Sequence, residues 1–136
     1  MHDALAPTEP EHDVATLPAG AGLALIGAAL MVVGALGPWI GGRFLGGTTG
    51  IDLGGDGWLV VGAAAFALLA LLLPSTSATF RGAWMVVFAS GGAFVCWTHY
   101  SEAHADGLEV VWGLELAGIG SALLVVAGLR LLLSRS

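Results

Sequence analysis

Four stretches of this chain, residues 18–40, 58–73, 83–98 and 110–133, are almost wholly apolar, and polar or glycine-rich segments separate them. The first carries no charge, and Pro18 suits the first turn of a helix, where a missing N–H is no loss. The second reaches spanning length when Gly57 and residues 74–76 join it, with Pro74 marking its end. The third has an unusually small centre, Ala89-Ser90-Gly91-Gly92-Ala93. The fourth holds Glu115 near its start and Arg130 near its end, where a long side chain can snorkel to the boundary of an apolar medium. A bilayer core about 30 Å thick takes roughly 20 apolar residues per helix. The pattern therefore predicts helices at about 18–40, 57–75, 82–98 and 110–133. The fold class expected is all-α, a membrane-embedded four-helix bundle over residues 18–136.

The connecting segments predict little regular structure. Residues 1–17, with Asp3, Glu9, Glu11 and Asp13 among two histidines and two prolines, form an acidic tail unable to bury enough surface to order itself. They lack the basic start of a secretory signal, so the first apolar run is expected to stay in the mature protein. Residues 41–57 contain eight glycines and end in the turn pair Asp56-Gly57, a loop or small hairpin. The 75–82 connector carries Arg81, and residues 99–109 form a compact polar loop.

Tryptophans fall where the runs change. Trp39 and Trp97 close runs one and three, and Trp58 and Trp112 open runs two and four. These four, with Tyr100, predict an aromatic belt at one membrane interface, where an amphipathic indole is best placed. The two halves repeat this order, apolar run, Trp, loop with Asp-Gly, Trp, apolar run. A parallel repeat of two helical hairpins would account for it; chance would too, since few residues define the match. The arginines fix an orientation. Arg81, Arg130 and Arg135 lie on one side and Arg43 on the other, which by the positive-inside rule places both termini in the cytoplasm of a bacterial inner membrane.

Composition sharpens the class. Of 136 residues, 57% are hydrophobic and 10% charged, and the mean hydropathy of +0.89 is outside the range of a soluble domain. The net charge of −6 excludes a polybasic surface, and with it nucleic acid as a partner. Lys, Asn and Gln are absent, a bias that resembles a high-GC source. Cys96, the single cysteine, forms no internal disulfide and reads as packing. Between helices in lipid, small residues drive close approach. Gly20, Gly27 and Gly34 recur every seven residues in the first run, and Gly113, Ala117 and Ser121 every four in the fourth, each set on one face.

Candidate chemistry is sparse. Glu115 is the one carboxylate within a run, either an interfacial residue near the positive end of its helix or a proton- or cation-binding site. His99, Glu102, His104 and Asp106 supply metal-capable side chains, but without HExxH or paired-Cys spacing. His2 and His12, in the tail, are weaker still as ligands. The 41–57 glycines lack the order of a phosphate loop. Asp52 and Asp56 have no nucleophile nearby to serve as acid and base. No cofactor is called for.

The segments "GPWI", "GGDGWLVV" and "WGLELAGIGSALLVVAG", over residues 18–133, resemble small four-span membrane proteins of actinobacteria. The resemblance implies topology and no activity. The expected function is non-enzymatic, an accessory or assembly subunit of a larger membrane complex with the lipid bilayer and further copies or subunits as partners. The alternative is a small oligomeric transporter or channel using Glu115; a metal-binding enzyme ranks third. The small multidrug transporters share four short spans but carry their glutamate on the first helix, where this chain has none.

Overall fold

A computed structural model describes residues 20–42, 45–73 and 77–134. The acidic tail with His2 and His12, Pro18, Arg43, Pro74 and Arg135 lie outside the described residues. Four helices pack together: α1 (Ala21–Leu36), α2 (Asp56–Leu72), α3 (Ala78–Ala105) and α4 (Trp112–Leu133). The chain is mostly helical rather than all-α. Three short strands, β1 (Pro38–Gly42), β2 (Leu45–Thr49) and β3 (Glu109–Val110), form an antiparallel sheet in the order β2-β1-β3.

The helix ends have local causes. The first apolar run, read as one helix to residue 40, leaves the helix at Leu36. Pro38 has no N–H to continue it, and the residue before a proline is pushed out of helical conformation. Gly37 closes the last turn by donating to the carbonyls of Val33 and Gly34, and the remaining apolar residues become β1. Helix α2 starts behind Gly54 and Gly55, both in the left-handed region with φ of 63° and 87°, and Asp56 in its first turn complements the helix dipole. Ser77 caps α3, its hydroxyl accepting from the Phe80 N–H at 3.2 Å.

Helix α3 is the largest departure from the sequence reading. Its 28 residues span about 42 Å, and the segment 99–105, expected in a loop, forms its last two turns. The stop comes at Gly107, φ 68°. Leu108 N–H donates to Ala103 O (2.8 Å) and Gly107 N–H to His104 O (3.3 Å), the paired bonds of a Schellman cap.

The sheet joins both connectors at one end of the bundle. Ile40 pairs with Val110 and Gly41 with Glu109, and Val111 N–H donates to Trp39 O at 2.9 Å. Residues 41–57 and 99–109 therefore meet at the same end.

The packing is built on small residues. A Cβ on Gly27 would lie 2.8 Å from Gly120 O, and one on Gly113 2.9 Å from Gly34 O. Gly34 meets the Ala117 backbone, and Gly20 lies against Ala127. The seven-residue spacing 20, 27, 34 on α1 thus runs antiparallel against 113, 120, 127 on α4. On the other side of α4, Gly128 faces Gly82 of α3, where an added Cβ would meet Gly82 O at 3.0 Å. Ser121 is fully buried, donates to Ala117 O at 3.0 Å and lies against Gly92 of α3. The core cluster is dominated by alanines, among them Ala24, Ala28, Ala35, Ala64, Ala67, Ala89 and Ala127, with Met31 and Met85 filling between them. Large apolar side chains point outward instead, including Leu59, Leu72, Val87, Phe94, Ile119 and Leu133.

Candidate functional site

At the sheet end, the buried indole of Trp39 is a hub. Its Nε1–H donates to Gly34 O at 2.9 Å, and Gly50 leaves room for the ring, which a Cβ there would strike. His99, on the last turns of α3, meets the indole edge-on with ring centroids 5.2 Å apart. On its far side His99 Nε2 lies 2.6 Å from Asp56 Oδ2, at the start of α2. Glu102 Oε2 is 3.9 Å from His99 Nδ1, within electrostatic reach but beyond a hydrogen bond. The His99 side chain is 14% exposed and those of Asp56 and Glu102 39% and 72%, so the Asp56 pair is the shielded one. One imidazole on α3 thereby contacts β1 through Trp39, whose indole is in turn bonded to α1, and α2 through Asp56.

This arrangement fastens β1, α2 and α3 to one another. The aliphatic hydroxyls near His99 are engaged on their own helix, Thr98 with Val95 O at 2.8 Å and Ser101 with Trp97 O at 2.9 Å. Asp52 is held in a turn by the Thr49 hydroxyl at 2.7 Å, apart from Asp56.

The proposed metal set does not converge. His99 turns inward to Asp56, whereas Glu102, His104 and Asp106 are exposed, and His104 stacks on Tyr100 with centroids 6.0 Å apart. Among the described residues no group of three or more His, Cys, Asp or Glu is placed to hold a metal ion. Asp56, the partner that His99 does take, is 43 positions away in sequence; only the like placement of the two connectors hinted at it.

The tryptophans divide. Trp58, Trp97 and Trp112 are 61%, 66% and 52% exposed, but Trp39 is wholly buried. The expected belt thus loses Trp39, whose ring is enclosed by β1, the Gly50 turn and His99. The equivalent positions of the two halves, Trp39 and Trp97, therefore occupy opposite environments. Of the small residues singled out from sequence, Gly20, Gly27, Gly34, Gly113 and Ala117 lie on the α1–α4 seam, while Ser121 turns toward α3; Gly120, the centre of the seam, belongs with them.

Glu115 lies in the first turn of α4 and faces outward. It lines an open groove of about 530 Å³ between α3 and α4, together with the buried Cys96 and Leu114, the small residues Ala93, Gly118 and Ala122, and the aromatic Trp97 and Tyr100. Among the described residues no hydrogen bond or ion pair to Glu115 is found.

The fold and these sites define a helical bundle with small-residue seams, a sheet-capped end and an outward carboxylate. No protein-family model, curated protein or solved structure matches the chain. Two helices, α3 and α4, are long and apolar enough to cross a membrane; α1 and α2 are apolar but shorter, at 16 and 17 residues.

Proposed function

We propose that the chain is a non-enzymatic, membrane-embedded protein that serves as an accessory or assembly subunit of a larger membrane complex. The observation that carries its membrane placement is the packing: alanine and glycine dominate the interior, with few large side chains such as Met31, Trp39, Leu114 and Leu124 among them, while most leucine, valine, phenylalanine and tryptophan side chains are at least partly exposed. A water-soluble domain places its large apolar side chains inside, whereas in lipid close contact between helices comes from small residues.

In this reading all four helices cross a bacterial inner membrane as two hairpins. The sheet and the Trp39–His99–Asp56 hub sit at the outer interface, and the Arg81 connector and both termini are cytoplasmic. The short α1 and α2 are accommodated by local thinning of the bilayer around them. The likeness to four-span actinobacterial proteins agrees with this topology. The test is purification in a mild detergent after in-cell crosslinking: a stable assembly with other membrane proteins is expected, and a monomer without partners would overturn the reading.

The outward, unpartnered Glu115 favours a second reading, a transporter or channel whose path lies between copies of the chain rather than within one bundle. It requires proteoliposome ion flux that Glu115→Ala abolishes; flux unaffected by that substitution excludes it.

A further inference from the structure

We propose that the α3–α4 groove binds a membrane phospholipid whose headgroup carries an ammonium, with an acyl chain along the groove and the ammonium against Glu115. The inference rests on the membrane reading above and extends it from topology to a ligand.

Three features of the groove converge on this chemistry. Its lining includes the small residues Ala93, Gly118 and Ala122 together with the buried Cys96 and Leu114. A Cβ added to Gly118 would touch nothing within 4 Å, so this glycine leaves open space rather than relieving a contact inside the chain. Its volume of about 530 Å³ is that of a small-molecule site. The second feature is charge: Glu115 has no partner among the described residues, and the groove around it is apolar. The positive end of α4 offsets part of the cost of that carboxylate, but explains neither the groove nor the aromatic wall beside it. The third is that wall. Trp97 and Tyr100 stack with centroids 6.3 Å apart and are 66% and 42% exposed. Indole faces attract ammonium groups, most strongly when water is excluded, and Trp97 is the ring that supplies one, since Tyr100 is stacked against both Trp97 and His104.

Depth matches as well. Glu115 lies one helical turn from Trp112, about 4.5 Å along the axis, at the level where indoles mark the headgroup boundary. An ammonium there meets the carboxylate, while an anionic headgroup meets repulsion. A free headgroup amine without its chain gains nothing from the apolar lining.

Native mass spectrometry of the purified full-length protein, titrated with dioleoyl phosphatidylethanolamine, dioleoyl phosphatidylglycerol or free ethanolamine, tests this. Phosphatidylethanolamine adducts are expected to form at lower concentration than phosphatidylglycerol adducts, and ethanolamine is expected to form none. Glu115→Gln should weaken phosphatidylethanolamine binding on the order of tenfold, the loss of one hydrogen bond to a charged group, and leave phosphatidylglycerol binding unchanged. Gly118→Leu, which keeps the carboxylate and narrows the groove, should weaken phosphatidylethanolamine binding as well. Unaltered helicity of each variant by circular dichroism separates lost binding from lost folding. Equal affinity for the two phospholipids, or phosphatidylethanolamine binding unchanged in Glu115→Gln, would overturn the proposal. Recovery of the chain in the soluble fraction without detergent would instead overturn the membrane reading beneath it.

Discussion

Adding a single methyl group to Gly120 should destabilise the fold, while the same change two residues earlier, at Gly118, should not. An alanine Cβ at 120 would sit 2.5 Å from Gly27 O and 2.7 Å from the Met31 amide nitrogen. Both obstacles are backbone, so no side-chain rotation relieves them. Helices α1 and α4 would have to separate by about 1 Å, which forfeits a quarter to a half of the dispersion energy of each contact along the seam. Overpacking of this kind costs about 1–3 kcal/mol. The better helix propensity of alanine returns at most about 1 kcal/mol, leaving a net loss of about 0–2 kcal/mol. At Gly118 a Cβ meets nothing within 4 Å, so only the propensity gain remains, about 0.5–1 kcal/mol of stabilisation. Reversible unfolding in mixed micelles with increasing sodium dodecyl sulfate, followed by far-ultraviolet circular dichroism, measures both. Opposite signs for Gly120→Ala and Gly118→Ala are expected. Equal effects, or a more stable Gly120→Ala, would refute a direct α1–α4 backbone seam.

Three further outcomes follow from the same geometry. Asp56→Asn and His99→Gln, combined in a double-mutant cycle, should show a coupling of about 1 kcal/mol, kept small by the partial exposure of Asp56; a coupling of zero in the unfolding assay would detach α2 from α3 at that point. Trp39→Phe removes the buried indole donor to Gly34 O, which keeps only the longer bond from the Gly37 N–H, so a loss of about 0.5–1.5 kcal/mol is expected in the same titration. Cysteines introduced at Asp52 and Leu108, with Cys96 replaced by alanine, should react from the same side of the membrane with an impermeant maleimide, because β1 pairs with β3 at one end of the bundle; labelling from opposite sides would contradict that pairing.

How far the fold was legible depended on whether its signal was local. The first apolar run looked continuous because hydropathy does not distinguish a helix from the strand that follows it, yet Pro38 stood in the sequence as the place where the helix must end. The last turns of α3 were obscured in another way. The segment HYSEAHA is polar and was read as loop, although it contains no glycine or proline before Gly107 and its alanines and glutamate favour helix. Polarity reports which solvent a segment meets, not its backbone conformation, and here the helix continues through a polar segment.

The two kinds of contact that organise the bundle differ in the same respect. The α1–α4 seam was half visible, because a seven-residue repeat of glycine keeps one helix face small, and an antiparallel neighbour must offer small residues at the same spacing. Gly113, Gly120 and Ala127 meet that requirement. Reading α4 at a spacing of four instead admitted Ser121, which faces α3, and passed over Gly120. The hub at the sheet end has no such periodicity. Asp56 and His99 are brought together only after the loop behind α2 folds back, with Gly57 N–H donating to Gly50 O at 2.8 Å, and after Trp39 enters the core under that turn. Neither residue is unusual for its own segment, so their pairing is a property of the assembled end of the bundle. The small-residue seams hold the helices together along their length, and the polar hub holds their ends at the sheet.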